Sequence, residues 1–323
     1  MSEPPDEFDW IAALRPLTRG APAALGLLDD VAVLPNRPGH DLVITEDAMV
    51  EGVHFLAGEA ADMVARRLIR TNLSDLAAKA AEPFGYTLTA AWPAARTWED
   101  RMAFVAGLAE DGRRFDLDLL GGDTVSTPGP LTVSATFFGW TPAGGAVKRS
   151  GARAGDALVL CGTIGDAALG LRVARGVLDD ADGYFLERLR LPEPLLGLRE
   201  PLRRYAAAAA DVSDGLLADA LHIADASGCG VVVDLGRAPL STPAAAWLRA
   251  QPDRPAALLE LATFGDDYAL VCAARDGQRL AEAANAAGVR TAVVGEFVGG
   301  AGLSLVVDGR PAVAPARLGW RHA

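Results

Sequence analysis

The chain has 323 residues, half of them hydrophobic and 22% charged, with 42 acidic against 30 basic side chains and a formal net charge of −12. That length predicts two domains, each able to bury a core of its own. The acidic balance argues against nucleic acid or anionic membrane as partners, because both require a basic surface.

No run of about 18 apolar residues exists, which excludes a membrane-spanning helix. The acidic start, Met1-Ser2-Glu3-Pro4-Pro5-Asp6-Glu7, lacks the basic-then-apolar plan of a signal peptide. Cys161, Cys229 and Cys272 are isolated within apolar segments, which predicts buried thiols in a reducing cytoplasm and no disulfide framework or zinc site. The two lysines, Lys79 and Lys148, lie outside any G-x-x-x-x-G-K-[ST] loop, so a Walker-type phosphate cradle is excluded. A protein of this composition that handles phosphates must hold them with metal ions, backbone N–H groups and arginine.

In chain order, residues 7–19 predict a short amphipathic helix, and residues 27–34 a strand interrupted by Asp29 and Asp30. Residues 42–55 predict a strand ending near Thr45 and Asp47, since adjacent acids are unfavourable in a buried β-branched segment. Val64, Leu68, Leu73 and Leu76 recur at helical spacing over 61–81, with Asn72, Asp75 and Lys79 on one face. Asp75 and Lys79 alone read as a solvated ion pair. A strand over 86–92 and a helix capped by Thr97 and Asp100 follow. Then come a short strand ending in Gly121-Gly122-Asp123 and another over 131–140. Pro142–Ala146 is the candidate linker.

Beyond it, residues 157–161 predict a strand and Gly162–Gly165 a turn opening a helix. The stretch Asp211-Val212-Ser213-Asp214-Gly215-Leu216 reads as a strand end entering a helix that reaches Ser227, with Ser213 as N-cap and Asp214 and Asp219 on the helix. Strands are predicted over 230–234, 269–272, 291–298 and 303–307, and helices from Pro243 and Pro255. The order is mixed in both halves, hence an α/β or α+β chain.

The acids at element ends are Asp29, Asp30, Asp47, Asp75, Asp123, Asp211 and Asp214. Individually each reads as a cap or a surface charge. Two carboxylates about 4 Å apart repel by roughly 4 kcal/mol at an effective dielectric near 20, so a shared cleft would need divalent cations or protons. Aspartate oxygens without His or Cys suit Mg²⁺ and phosphate-bearing substrates rather than zinc or a redox metal. Arg149 reads either as a phosphate clamp or as an interdomain salt bridge. His54 reads as a packed histidine, Trp320 as core or as a stacking aromatic, and His40, His222 and His322 as structural.

Several of these segments together resemble the thiamine-monophosphate kinase family, within the superfamily of aminoimidazole ribonucleotide synthetase and selenophosphate synthetase. The resemblance runs nearly end to end. It rests on Asp29-Asp30, Thr45-Glu46-Asp47, the Glu51-Gly52-Val53-His54-Phe55 stretch and Asn72-Leu73-Ser74-Asp75. Further on it rests on Gly121-Gly122-Asp123-Thr124, Arg149 to Asp156, Asp211 to Asp219, Gly265-Asp266-Asp267-Tyr268 and the terminal Gly319-Trp320. Leu28 and Phe264 stand where that family usually has glycine, Glu46 where it has a small residue, and Asp266 where it has Glu.

The resemblance implies a two-domain fold, mixed sheets with helices packed on them, and a homodimer paired through the N-terminal sheets. Residues 1–146 would form the metal-, ATP-binding and dimerisation domain, and 147–323 the domain completing the site. It implies ATP-dependent phosphorylation of thiamine monophosphate to thiamine diphosphate by direct in-line transfer, without a protein nucleophile. Asp30, Thr45, Glu46, Asp47, Asp75, Asp123, Asp211 and Asp214 would hold Mg²⁺. Gly122, Asp123, Arg149 and Ser213 would contact ATP, and His54, Asp266 and Trp320 the thiamine moiety. Two other readings stay open: an ATP-using enzyme of the same superfamily with another small acceptor, and a non-catalytic Mg-ATP-binding regulator.

Overall fold

The structure is a computed structural model and describes residues 6–321; His322 and the acidic start up to Pro5 lie outside the described residues. The chain divides into two compact units, Met1–Leu76 with Ala81–Gly144, and Ala77–Ala80 with Gly145–Ala323.

The first unit begins with α1 (Glu7–Leu14), whose Asp6 and Asp9 form a capping box. The helix predicted to reach residue 19 instead tightens into a 3₁₀ turn, Arg15–Thr18, with Pro16 in its first turn. The strand predicted over 27–34 is absent; a 3₁₀ segment, Pro22–Leu27, leads into an irregular stretch carrying Asp29 and Asp30. Two adjacent carboxylates have no place in a buried ladder.

A four-stranded sheet follows, in the order β1 (His40–Val50), β4 (Thr132–Pro142), β2 (Glu82–Pro93) and β3 (Asp118–Thr127). Its covered face carries Met49, Tyr86, Leu88, Val133 and Phe137, and its other face leaves Leu42 and Ile44 exposed. The helices of this unit are α2 (Ala61–Ala78) and α3 (Trp98–Phe115), the latter capped by the predicted Thr97–Asp100 box. Trp10, Trp92 and Phe104 meet edge to face, with centroids 5.5 Å apart in both pairs, a geometry worth about 1 kcal/mol per pair beyond area burial.

The second unit is a seven-stranded sheet in the order β11 (Arg310–Ala312), β10 (Gly302–Val307), β7 (Gly230–Asp234), β9 (Thr291–Val298), β5 (Ala157–Cys161), β8 (Leu270–Ala274) and β6 (Ala208–Asp211). Only β7 and β10 pair in parallel; the other ladders are antiparallel. Its helices are α4 (Asp166–Ala174), α5 (Tyr184–Arg190), α6 (Arg199–Tyr205), α7 (Leu216–Ser227), α8 (Thr242–Arg249), α9 (Arg254–Phe264) and α10 (Gly277–Ala286). One core lies under α7, where Leu216, Leu217, Ile223, Val231 and Val271 are buried; another holds Val159, Leu202, Cys272 and Leu280. Cys161, Cys229 and Cys272 are free, buried thiols.

Candidate active site

In the first unit β1 does not stop at the acids but runs through them. Its burial alternates, so Thr45 and Asp47 face the covered side and Glu46 the open side. The Thr45 hydroxyl donates to Asp75 Oδ2 at 2.6 Å. Burial and the neighbouring Asp75 carboxylate push Asp47 up to about 6, against a hydrogen bond from Thr71 that favours its ionised form. Thr45, Asp47 and Asp75 therefore form one oxygen-rich group across β1 and α2.

Glu46 is separate from it. Its side chain accepts from Ser134 Oγ at 3.1 Å on the other face of the sheet. The ladder register aligns Asp123 with Thr89, Thr89 with Ser134, and Ser134 with Ala48, which puts Asp123 on the face of Glu46 rather than that of Asp47. Asp123 Oδ1 accepts from the Thr124 amide at 2.8 Å. Gly122 lies opposite Leu88, where a Cβ would sit 2.0 Å from the Leu88 carbonyl oxygen. Asp30 is exposed on the irregular stretch.

His54 closes a turn directly after β1. Its Nδ1 accepts from the Val50 amide at 3.0 Å. Glu51 anchors the same turn, accepting from the Gly58 amide at 2.8 Å and from Arg96 at 2.7 Å. Lys79, expected to pair with Asp75, donates to the Ala209 carbonyl at 2.7 Å within the second unit.

In the second unit Asp211 ends β6 and is buried. The turn after it differs from the expected cap. Ser213 is not the N-cap and Asp214 precedes the helix; the cap is Gly215, at φ +126°, with no side chain to offer. Asp219, on the first turn of α7, supplies the missing acceptor, its Oδ2 receiving the Asp214 and Gly215 amides at 3.1 Å each.

The backbone of this turn collects further partners. The Ser213 carbonyl accepts from the Asp266 amide and the Asp214 carbonyl from the Trp320 amide, both at 2.8 Å. Asp266 stands at φ +57° and accepts from the Tyr268 hydroxyl at 3.2 Å. Its neighbour Asp267 turns the other way and caps α4, accepting from the Gly165 amide; burial holds it well above the usual carboxylate range. Arg149 is exposed, and its carbonyl accepts from Ser227 Oγ at 3.4 Å.

A cleft of about 340 Å³ beside the turn is lined by Asp214, Leu221, His222, Trp320 and Arg321 among others. Trp320 is 45% exposed, with the Arg317 guanidinium 5.4 Å from its ring centroid. His222, read as structural from sequence, lies here with its Nδ1 3.3 Å from Asp219 Oδ1. The Asp219 carboxylate raises its imidazole, against burial and the positive charge of Arg149. Ligand atoms of Asp214, Asp219 and His222 lie within 4.8 Å of one another. The i,i+3 spacing of Asp219 and His222 was the available signal for this pairing.

The family model for AIR synthase related protein, N-terminal domain, matches residues 28–141, and that for the C-terminal domain residues 153–308. The thiamine-monophosphate kinase of Caulobacter vibrioides is 60% identical over 99% of this chain and 91% of its own length. The chain belongs to the thiamine-monophosphate kinase family. As a member it is an enzyme of the phosphotransferase class. The thiamine-monophosphate kinase of Salmonella typhimurium is 37% identical, with 88% of each chain covered. A solved thiamine-monophosphate kinase from Stenotrophomonas maltophilia K279a, 36% identical, superposes with a TM-score of 0.81 over 95% of this chain and 98% of that one. The mixed two-domain fold expected for the family is the fold observed.

Proposed function

We propose that this enzyme transfers the γ-phosphoryl group of ATP to the phosphate of thiamine monophosphate, giving ADP and thiamine diphosphate. The reading is carried by the Thr45–Asp47–Asp75 group, in a chain 60% identical to a thiamine-monophosphate kinase. Such a hydroxyl–carboxylate set, crowded enough to hold Asp47 partly protonated near pH 6, fits a hard cation with oxygen ligands.

Thr45, Asp47 and Asp75 would hold Mg²⁺ on one unit, and Asp211 and Asp214 on the other. Bound there, Mg²⁺ would supply positive charge to offset that of the phosphate oxygens. Gly122 and Ser213 contact the nucleotide, and Arg149 presents a planar fork to its phosphates; Asp123, on the sheet face that carries Glu46, is left out of this set. Glu46 is not assigned to the cation, because it points from the opposite face of β1. Asp30 belongs to the set on the family resemblance.

His54, Asp266 and Trp320 bind the thiamine moiety, the indole offering a face to a flat, cationic ring. One acceptor phosphate oxygen bonds to the γ-phosphorus as the bond to the β,γ-bridging oxygen breaks and ADP leaves. The acceptor is already anionic, so no side chain need remove a proton. Residues 1–146 carry the first ligand set and 147–323 the second. Two copies pair through the open faces of the four-stranded sheets, which would cover the exposed Leu42 and Ile44. The reaction is cytoplasmic.

³¹P NMR of the protein with ATP, Mg²⁺ and thiamine monophosphate tests the reading. ADP and thiamine diphosphate should appear one to one. ADP without thiamine diphosphate, or neither product, would refute it.

A further inference from the structure

The turn between β6 and α7 is where three parts of the second unit meet. Its Ser213 and Asp214 side chains belong to the proposed phosphate side. Its Ser213 and Asp214 carbonyls accept from the amides of Asp266 and Trp320, on the proposed thiamine side. Packing leaves it no slack: a Cβ on Gly265 would lie 2.2 Å from the Ser213 carbonyl oxygen, and one on Gly319 would lie 2.5 Å from that of Asp214.

The turn cannot hold itself, because its cap residue Gly215 lacks a side chain. The group that fixes it is Asp219, wholly buried, whose Oδ2 accepts both the Asp214 and Gly215 amides. Among the described residues its Oδ1 accepts no hydrogen bond, and His222 Nδ1 lies 3.3 Å from it. Two amides, the start of a helix and an imidazole together compensate a carboxylate that burial alone would disfavour.

We propose that Asp219 is a positioning residue: by pinning the Asp214 and Gly215 amides it sets a piece of backbone that carries Ser213 and Asp214 on the phosphate side and holds the Asp266 and Trp320 amides on the thiamine side. The proposal rests on the kinase reading for what those contacts do, but not for the pinning itself. What the turn needs is an acceptor oxygen at that point, not a negative charge. Asparagine supplies the oxygen and leaves its NH₂ facing His222; alanine supplies neither.

The test compares Asp219→Asn and Asp219→Ala with the parent by two readouts. Hydrogen exchange of a peptide spanning 212–216 reports the pinning without reference to activity. It should be slow in the parent and in Asp219→Asn, and fast in Asp219→Ala. Steady-state kinetics should show Asp219→Ala losing about 10- to 100-fold in kcat/KM for both ATP and thiamine monophosphate, as for groups that orient ligands from behind. Asp219→Asn should recover most of that loss together with the slow exchange at 212–216, a joint rescue that a generally weakened fold would not give.

The proposal is overturned if folded Asp219→Ala keeps the parent's exchange and kinetics. It is equally overturned if Asp219→Asn is as impaired as Asp219→Ala. Should alanine not fold, Asp219→Asn with fast exchange at 212–216 overturns it, and parent-like exchange with parent-like kinetics supports it. Should the parent itself make no thiamine diphosphate, the kinase reading falls, and the exchange readout alone decides the role of Asp219.

Discussion

Asp47 shows what it costs a residue to stand where a cation is expected. Burial and the Asp75 carboxylate raise it to about 6, so between about pH 4 and 6 the folded chain binds more protons than the unfolded one. Stability of the metal-free protein must therefore fall as pH rises through that window. Asp47→Asn removes the charge. Thermal melts without metal should show the variant melting above the parent at pH 8 and level with it near pH 4, while added Mg²⁺ raises only the parent. A Mg²⁺ shift retained in Asp47→Asn would dissociate Asp47 from the cation. From sequence, two acids in a β-branched run implied a strand end. The strand continues because alternation sends Glu46 out to Ser134 and only Thr45 and Asp47 inward, a facing that residue types alone do not set.

At the scale of elements, the Asp211–Leu216 segment was legible as a strand-to-helix turn but its cap was not. Ser213 has the residue type of an N-cap, yet a glycine takes the position, because Asp219 reaches back from within the helix. Gly265 answers to the same turn. At φ +90°, and with the Ser213 carbonyl 2.2 Å from any Cβ, Gly265→Ala should destabilise the fold by several kcal/mol or displace the turn. Chemical denaturation should report a lower midpoint than the parent's; an unchanged midpoint would mean that the backbone there is free to move. The Trp320 amide donates to the turn while its ring stays half in solvent. Trp320→Ala should therefore weaken binding of thiamine monophosphate more than of ATP in calorimetric titration, and equal affinities would make it packing alone.

Across the whole molecule, β5, β7 and β9 were legible to the residue, since short apolar runs between turn residues admit few other readings. Helices α5 and α6 were not, being seven residues each and rich in Arg; α10 was missed although Leu280, Ala281 and Ala284 give it a buried face. Asp75 on a helix and Asp211 at a strand end were legible, but which face of the sheet Asp47 and Asp123 take was not: the ladder register, a property of four strands at once, parts Asp123 from Asp47. Under the proposed transfer, Asp75 and Asp211 each hold Mg²⁺. Asp75 lies on the first unit and Asp211 on the second. Residual formation of thiamine diphosphate by folded Asp75→Asn, Asp211→Asn and the double variant, followed with labelled ATP, tests it most directly. Each single variant should lose about 100-fold or more, and the double variant little beyond the worse single, as for groups that act as one unit. Parent-like turnover in either single variant, or losses that multiply in the double, would contradict it.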